Sequence, residues 1–507
     1  MTNHVVAYSR ENGGRVLILF LLFLLAIYSF INSGFGVFAG VCCIPILVLI
    51  ILAAFRNRML CFWGLVVINY FLQWHALKLP AGIPMSMYNE MLEVVLLALV
   101  VIDAKDAKLE RIANLMLFGI ILWCGFCILE VLNNSCGLGI NVGAWYMGTR
   151  LMAFQILYAF LTFSFYITNP AILIRYLYIW GSLALFASFW IWKQTHIGLT
   201  LSEEAWLYGP GRTTHIIQNG TLIRYFSIFS DAANFGIGIA STAVAFIIFG
   251  ITSRIKRHRI AFLIIALASA WAMFPTGTRT AIASFFAGLI VYIFLSKSIK
   301  IAVPFSIIFC IFVFIIAFTK IGQGNQQIRR MRSAFNKDDA SSNVRKINQE
   351  AIKKYLKDAP WGLGIGLWNS DGVPTNNKFY KVYNTPADSE YVGVWIRTGV
   401  IGLTVFLISN GIMILGGCLI VFFRLKSPSL RGLGAGFTCA MIAQQVGAYG
   451  NMVLFQFPNT LVFYGGLAIV YILPFIEKEW IEWENKELAK IEEKKRLKLE
   501  KKLASRV

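Results

Sequence analysis

Long apolar runs constrain the fold of this chain more than any other feature of its sequence. The runs are about twenty residues long, and each is sufficient to cross the hydrocarbon core of a bilayer as an α-helix. Hydrophobic residues make up 58% of the 507 residues and charged residues only 14%, against about a quarter in a soluble domain. The sequence therefore predicts an all-α, polytopic integral membrane protein with about fourteen transmembrane helices and one large loop that contains short helices.

Basic loops assign a side of the membrane to the ends of these spans. Lys and Arg are concentrated in every second loop, and the strongest example is the segment from Arg254 to Arg259. Because cytoplasmic loops carry the excess of basic residues, both termini are predicted to be cytoplasmic. The same loops account for the net charge of +21 without a nucleic-acid partner. The predicted spans begin near Val16, Gly36, Met59, Tyr88, Ile112, Leu151, Ala171, Ala232, Arg259, Ala281, Ile299, Val400, Leu430 and Phe457.

The spans and loops divide the chain into four predicted regions. Residues 1–318 form an N-terminal transmembrane region of about eleven spans, and residues 319–388 form a large outer loop. Residues 389–475 form a C-terminal transmembrane region of about three spans, and residues 476–507 form a charged, helical, cytoplasmic tail. A loop as long as 319–388 tends to be functional, so we expect it to take part in the site.

One segment of this loop has the pattern of an amphipathic helix. Apolar residues recur at helical spacing after two serines that are good helix N-caps. The pattern predicts a helix that lies on the membrane face. The serines are Ser341 and Ser342, and the apolar residues are Val344, Ile347, Ala351, Ile352, Tyr355 and Leu356.

Four arginines fall on the outer side, where the positive-inside pattern does not place them. They are Arg150, Arg212, Arg224 and Arg279. The planar guanidinium of arginine can donate two parallel hydrogen bonds to a pair of phosphate oxygens, and it stays charged at any working pH. Arginines at this surface therefore indicate binding of, or chemistry on, a phosphate-bearing lipid at the outer leaflet.

Further polar residues gather in three segments near the same surface. The segments are Arg224–Gly236, which contains Asp231 and Asn234; Pro275–Thr280, which contains Arg279; and Asn384–Gly402, which contains Asp388 and Glu390. His215 lies between Arg212 and Arg224 and is a further substrate-binding candidate. We find no convincing metal-ligand cluster, so neither a metal nor a cofactor is predicted.

These segments resemble the O-antigen ligase and polymerase superfamily of bacterial surface-polysaccharide assembly. Arg224 to Asn234 is similar to an outer-loop pattern of the family, and Thr276-Gly-Thr-Arg-Thr280 resembles its Thr-Gly-Ser/Thr-Arg signature. Pro360-Trp-Gly-Leu-Gly-Ile-Gly366 matches the glycine run that closes its large periplasmic loop, and Gly399-Val-Ile-Gly402 fits its Gly-x-x-Gly helix. The resemblance covers residues 88–473 and depends on the order of motifs, each of which is weak alone.

The resemblance implies an inner-membrane glycosyltransferase that needs no metal and acts at the periplasmic face. Its donor would be a glycan on a polyprenyl pyrophosphate, and its acceptor another glycan or a lipid A core. Asp388 stands where the family has a histidine, so Asp388 or Glu390 would be the acceptor-side base, with Arg279 and Arg224 stabilising the leaving group. Candidate substrate-binding residues are Arg150, Arg212, His215, Asp231, Asn234, Arg345, Gly364 and Gly366, of which Arg345 is similar to a family arginine before the loop helix.

The sequence leaves several activities open. A repeat-unit polymerase is our first hypothesis, and the alternatives in the family are an O-antigen ligase and a transferase to protein. A flippase or other transporter of lipid-linked oligosaccharide is the alternative from another class. It would place charges along a path at mid-membrane, whereas the polar residues here gather at one surface. A non-catalytic membrane assembly protein is a weaker alternative. Membrane lipids and a chain-length regulator or flippase are further predicted partners of the enzyme.

Overall fold

The computed structural model of the chain describes residues 56–75, 85–102, 108–217, 222–296, 340–370 and 372–504, with isolated positions between 14 and 28 and between 303 and 332. Contacts within the chain divide it into two compact units. The first comprises residues 1–64 and 78–84, and the second comprises residues 65–77 and 85–507. In the first unit the longest described element is the start of helix α1. The site discussed below lies entirely in the second unit.

The described chain is built almost entirely from helices. The helices are α1 Arg58–Phe71, α2 Met85–Ile102, α3 Leu115–Leu129, α4 Val142–Thr149, α5 Gln155–Tyr166, α6 Pro170–His196, α7 Leu201–Tyr208, α8 Arg212–His215, α9 Ala232–Thr252, α10 Lys256–Ala272, α11 Arg279–Leu295, α12 Ala340–Leu356, α13 Tyr380–Tyr383, α14 Glu390–Leu419, α15 Pro428–Ala448 and α16 Gly465–Ala504. Short 3-10 helices occupy Leu109–Arg111, Glu130–Leu132, Phe274–Thr276 and Leu367–Asn369, and π-helical turns occupy Arg150–Phe154, Ile420–Arg424 and Thr460–Tyr464. Strands β1 (Ile216–Ile217) and β2 (Leu222–Ile223) pair antiparallel.

Six of the described helical segments are long and apolar enough to cross a membrane: Leu115–Leu132, Pro170–His196, Ala232–Thr252, Lys256–Thr276, Glu390–Arg424 and Thr460–Lys498. Helices α1 and α11 are shorter apolar helices. The chain is therefore an all-α membrane protein, as predicted, while the count of about fourteen spans is not confirmed. The spans predicted from Val16, Gly36 and Ile299 lie mostly outside the described residues.

Helix α9 lies at the centre of the second unit. Small residues allow its neighbours to approach closely, as helix packing in membranes favours. A Cβ added at Gly250 would contact Leu263 of α10, and one added at Gly436 of α15 would contact the ring of Phe249. Trp180 of α6 fills the space beside α9 and is fully buried. This packing holds the C-terminal half of α9 against α6, α10 and α15.

Helix α14 begins earlier than the sequence predicted. The span was expected from Val400, but the helix begins at Glu390 and contains a non-helical residue, Gly399, with φ of 66°. Helix α14 is antiparallel to α3, because Gly119 approaches Ser409 while Phe126 approaches Gly402. The end of α3 and the start of α14 therefore lie on the same side of the helix bundle.

The predicted loop helix is present as α12, with two differences. Ser341 and Ser342 lie inside the helix, so the prediction that they cap it is wrong. Ile352 and Leu356 are 1% and 4% exposed and pack in a small core with residues of the loop and of α14, rather than on a membrane face. The apolar residues of α12 that remain exposed are Val344 and Ile347, in its first half.

Candidate functional site

Arg224 is fixed by three hydrogen bonds to two neighbouring segments. Its Nη1 donates to the carbonyl oxygen of Thr214 (3.0 Å), its Nε to that of Thr276 (3.2 Å), and its Nη2 to Oγ1 of Thr278 (2.9 Å). These acceptors are neutral, so they orient the guanidinium without neutralising its charge. The arginine follows β2, whose pairing with β1 brings it back beside α8.

Arg279 is placed by a tight turn that precedes α11. A 3-10 helix ends at Thr276, and Gly277 takes the left-handed conformation with φ of 58°, which glycine adopts without strain. Thr278 Oγ1 then donates to the carbonyl oxygen of Ala232 (3.0 Å), tying the turn to the first turn of α9. Arg279 is the first residue of α11 and is half-buried.

Arg345 reaches the same region from the loop helix α12. Its Nη2 donates to the carbonyl oxygen of Gly450 (2.8 Å), in the connection between α15 and α16. A Cβ added at Gly450 would contact the side chain of Thr280, which is the neighbour of Arg279. Asn451 donates from Nδ2 to Oγ1 of Thr280 (2.6 Å). The start of α11 and one face of α12 therefore meet at the same connection.

The guanidinium of Arg224 interacts with those of Arg279 and Arg345. Burial lowers the pKa of Arg224, the carboxylate of Asp231 opposes that shift, and repulsion from Arg345 and Arg279 lowers the pKa further. Arginine nevertheless remains protonated in proteins. We call Arg224, Arg279 and Arg345 the arginine cluster. Cations held this close concentrate positive potential, and such an arrangement suits an anion with more than one charge, such as pyrophosphate.

Asp388 is bound by the helix that carries Arg345. It is half-buried, it precedes α14, and its Oδ2 accepts a hydrogen bond from Nδ2 of Asn348 (3.1 Å). Asn348 follows Arg345 by three residues on α12, so the two side chains lie on one face of that helix. The face that presents Arg345 to the cluster therefore also positions Asp388.

Glu390 has different surroundings. It is only 2% exposed, and its Oε2 accepts from the backbone N–H of Leu454 (2.8 Å). This bond ties the start of α14 to the connection between α15 and α16. The geometry favours Asp388 over Glu390 as a group that meets a substrate.

His215 and Asp231 organise the first turn of α9. Asp231 is its N-cap, and Oδ1 accepts from the N–H groups of Ala233 (2.8 Å) and Asn234 (2.9 Å). Nε2 of His215 accepts from the N–H of Ala232 (3.0 Å), so its proton is on Nδ1, which bonds Thr214. Burial, followed by repulsion from Arg224, lowers the pKa of His215 to about 4. The imidazole is therefore neutral at physiological pH.

Asn234 is a buried junction between α9 and the connection before α16. Its Nδ2 donates to the carbonyl oxygen of Phe457 (2.9 Å), and its Oδ1 accepts from Nδ2 of Asn459 (2.6 Å). The side chain is completely buried. Its bonds hold the segments that frame the site.

Arg150 and Arg212 are not brought into the arginine cluster. Arg150 begins a π-helical turn, and its Nη1 lies 3.0 Å from Oε1 of Glu90 while Nη2 donates to Ser86. Its side chain is 3% exposed, so this is a buried ion pair. Arg212 begins α8 and is exposed.

The glycine run that includes Gly364 and Gly366 packs the loop against two helices. The N–H of Gly364 donates to the carbonyl oxygen of Arg397 in α14 (2.9 Å), and φ at Gly364 is 102°. A Cβ added at Gly366 would lie 2.7 Å from the backbone nitrogen of Trp145. The glycines therefore allow the loop backbone to contact α4 and α14. This close packing alone explains why glycine occupies both positions.

Two parts of the site were missed by the sequence analysis. Asn348 could have been found, because its spacing from Arg345 places both on one helix face. Gly450 and Asn451 gave no signal, since they stand in a short connection whose contacts with Arg345 and Thr280 depend on tertiary structure. Among the described residues no group of three or more His, Cys, Asp or Glu side chains could hold a metal ion.

The fold and site define a helical membrane protein with a cationic, phosphate-compatible centre at one end of its bundle. A family model described as O-antigen ligase matches residues 264–407, which include Arg279, Arg345 and Asp388. This match confirms the resemblance to the O-antigen ligase and polymerase superfamily. No curated protein matches the chain.

Proposed function

We propose that the protein is a glycosyltransferase that acts on a polyprenyl-pyrophosphate-linked oligosaccharide at the periplasmic face of the inner membrane. Its activity is the polymerisation of oligosaccharide repeat units. Its substrates are a lipid-linked glycan donor and the hydroxyl group of a second glycan.

The observation that carries this proposal is the convergence of the arginine cluster from three separate segments. Arg224 precedes α9, Arg279 begins α11, and Arg345 lies on the loop helix α12. Bringing three cations together costs repulsion, which a bound pyrophosphate would reverse. Fixed donors of this kind stabilise charge that grows on a leaving group.

The chemistry needs one bond to form and one to break. The acceptor hydroxyl attacks the anomeric carbon, and the bond from that carbon to the pyrophosphate oxygen breaks. The leaving lipid pyrophosphate takes the electron pair and is stabilised by the arginine cluster. The hydroxyl proton passes to the carboxylate of Asp388, which Asn348 holds in place.

A second activity that is compatible with the matching family is the ligation of finished glycan to a lipid A core. Both activities use the same donor chemistry and differ in the acceptor. A deletion strain complemented with the intact chain separates them through its surface-glycan profile. Single repeat units in the uncomplemented strain support polymerase, and long polymer retained on the lipid carrier establishes ligase instead. A normal profile in the deletion strain overturns both.

A transporter is less well supported by the distribution of charge. Buried charged groups do occur within the helices, for example Glu90 and Glu93 of α2. They are held by Arg150 (3.0 Å) and by Gln155 (2.6 Å), respectively. These contacts join α2 to the neighbouring helix, which is a structural use of the charges.

A further inference from the structure

A cavity of about 560 Å³ opens between the end of α3 and the glycine run of the large loop. This volume is in the range of about 300–1,000 Å³ that is typical of small-ligand pockets. Its walls are the segment from Glu130 to Trp145 and the loop residues from Leu363 to Asn384. None of the three cluster arginines, nor Asp388, lines it.

The lining of the cavity differs in charge from the arginine cluster. Among the lining residues that the structure describes, the only charged side chain is that of Glu130, and none is Lys, Arg or His. The described lining therefore offers no cation to a pyrophosphate. The other polar lining residues are Asn133, Asn134, Asn141, Ser370 and Asn384, whose amides and hydroxyl suit a neutral ligand with many hydroxyl groups.

The buried carboxyl group of Glu130 indicates that the cavity binds a ligand. Glu130 is 4% exposed, and its Oε2 accepts from Nδ2 of Asn133 (2.8 Å). Its Oε1 has no hydrogen-bond partner among the described residues. A buried acceptor without a partner is costly, and each one in a folded protein requires an explanation. A hydroxyl donor bound in the adjoining cavity would supply the missing bond.

Aromatic side chains complete the chemistry. Trp145, Tyr380 and Tyr383 line the cavity, and Tyr380 is 36% exposed. Tyr383 is supported from behind by Trp368, with ring centroids 6.1 Å apart. Aromatic faces present apolar area beside polar groups, which matches a sugar ring with its C–H face and hydroxyl edge.

From these observations we infer that this cavity is a glycan-binding subsite, in which Glu130 accepts a hydrogen bond from a sugar hydroxyl and the tyrosines contact the ring. The inference rests on the proposed function, because it assigns the uncharged part of the substrate to this cavity and the pyrophosphate to the arginine cluster. The end of α3 and the start of α14 lie on the same side of the bundle, so the cavity and Asp388 face the same side of the membrane.

The test measures binding of two probes to the full chain in lipid nanodiscs. One probe is the repeat-unit oligosaccharide of the producing cells, freed of its lipid by mild acid, and the other is undecaprenyl pyrophosphate. Glu130→Gln keeps an oxygen that accepts from Asn133 but places an NH2 group where Oε1 stands, and Tyr380→Ala removes an exposed ring. Each should raise the Kd for the oligosaccharide about tenfold or more and leave the Kd for the lipid pyrophosphate unchanged.

Glu204→Gln, an exposed carboxylate on α7, is the matched control and should bind both probes as the intact chain does. Oligosaccharide binding that is unchanged in both cavity variants, or absent from the intact chain, overturns the inference. Failure of the proposed function gives a different result, since the intact chain would then bind oligosaccharide in the cavity yet form no glycosidic bond. If the protein transfers glycan but both cavity variants bind the oligosaccharide normally, the proposed function stands and the subsite is excluded.

Discussion

Two arginines that look alike in the sequence have different surroundings in the fold. Arg279 begins α11 beside the other cluster arginines, whereas Arg212 begins α8 and is exposed. Arg279→Lys keeps the charge but loses the fork that matches two phosphate oxygens, so we expect transfer to fall about a hundredfold or more. Arg212→Lys is the matched control and should transfer normally. Polymer length and amount at equal protein levels measure both, and normal polymer in Arg279→Lys excludes a pyrophosphate clamp.

The two carboxylates before and at the start of α14 should behave differently when neutralised. Asp388→Asn keeps the shape of the side chain but cannot accept a proton, so we expect transfer to be abolished while the lipid-linked donor still binds. Glu390→Gln should instead lower the melting temperature, because a neutral amide oxygen is a weaker acceptor for the N–H of Leu454 than the buried carboxylate. Donor binding and single-turnover transfer separate the two effects. Near-normal transfer in Asp388→Asn with loss in a stably folded Glu390→Gln would move the role to Glu390.

His215 predicts a dependence of stability on pH. Its ordinary pKa is 6.5, and burial lowers the pKa to about 4 in the folded protein. Between these values the unfolded chain binds a proton that the folded chain does not, so the stability of the fold decreases as pH falls from about 6.5 to about 4. His215→Gln keeps an acceptor for the N–H of Ala232 without titrating. The melting temperature of the intact chain should therefore fall more steeply than that of His215→Gln over this window, and parallel curves would contradict the assignment.

For individual residues, the sequence predicted which of them lie near the site better than it predicted what each of them does there. Arg279 could be selected because it stands on the side where the positive-inside rule does not place it and within a motif. Asp231 and Asn234 belong to an equally suggestive segment, yet Asp231 caps α9 and Asn234 joins it to Asn459. A polar residue before a span can cap a helix or bind a substrate, and only the tertiary contacts distinguish the two.

Among the helices, the charge pair between α2 and the π-helical turn before α5 gives a separate prediction. Arg150 and Glu90 have side chains that are 3% and 9% exposed and lie 3.0 Å apart. Arg150→Met leaves a buried carboxylate without its cation, which typically costs about 3–5 kcal/mol. The double variant Arg150→Met, Glu90→Leu should recover most of the lost stability, because both charges are then absent. Thermal unfolding in detergent measures these changes.

The same double variant tests the earlier hypothesis that Arg150 binds substrate. Normal transfer in a stable double variant would limit Arg150 to a structural role. A stable but inactive double variant would instead support direct contact with the donor. Arg175→Met, at an exposed position of α6, is the control for the loss of one positive charge. It should leave stability and transfer unchanged.

Sequence periodicity predicted most of the described helices but not where they begin. Helix α12 was expected from its spacing, and α14 was expected ten residues too late, at Val400 instead of Glu390. The reason is that the predicted start followed the apolar run near Val400, whereas the helix begins ten residues earlier and continues through a kink at Gly399. The kink brings Gly399 against Pro360 and Gly362 of the loop, a contact between segments that a sequence pattern does not encode.

For the whole molecule, the side of the membrane on which the site lies decides whether the proposed function can operate. The alternation of basic loops predicts that both termini are cytoplasmic and that the large loop is periplasmic. Lys381 in the large loop and Lys494 in the tail are both exposed, so single cysteines there can be labelled without disturbing the core. In a background without the native cysteines, an impermeant thiol reagent applied to spheroplasts should label Lys381→Cys at once and Lys494→Cys only after lysis. The reverse pattern would place the arginine cluster in the cytoplasm, away from periplasmic acceptors, and would exclude the proposed reaction at that face.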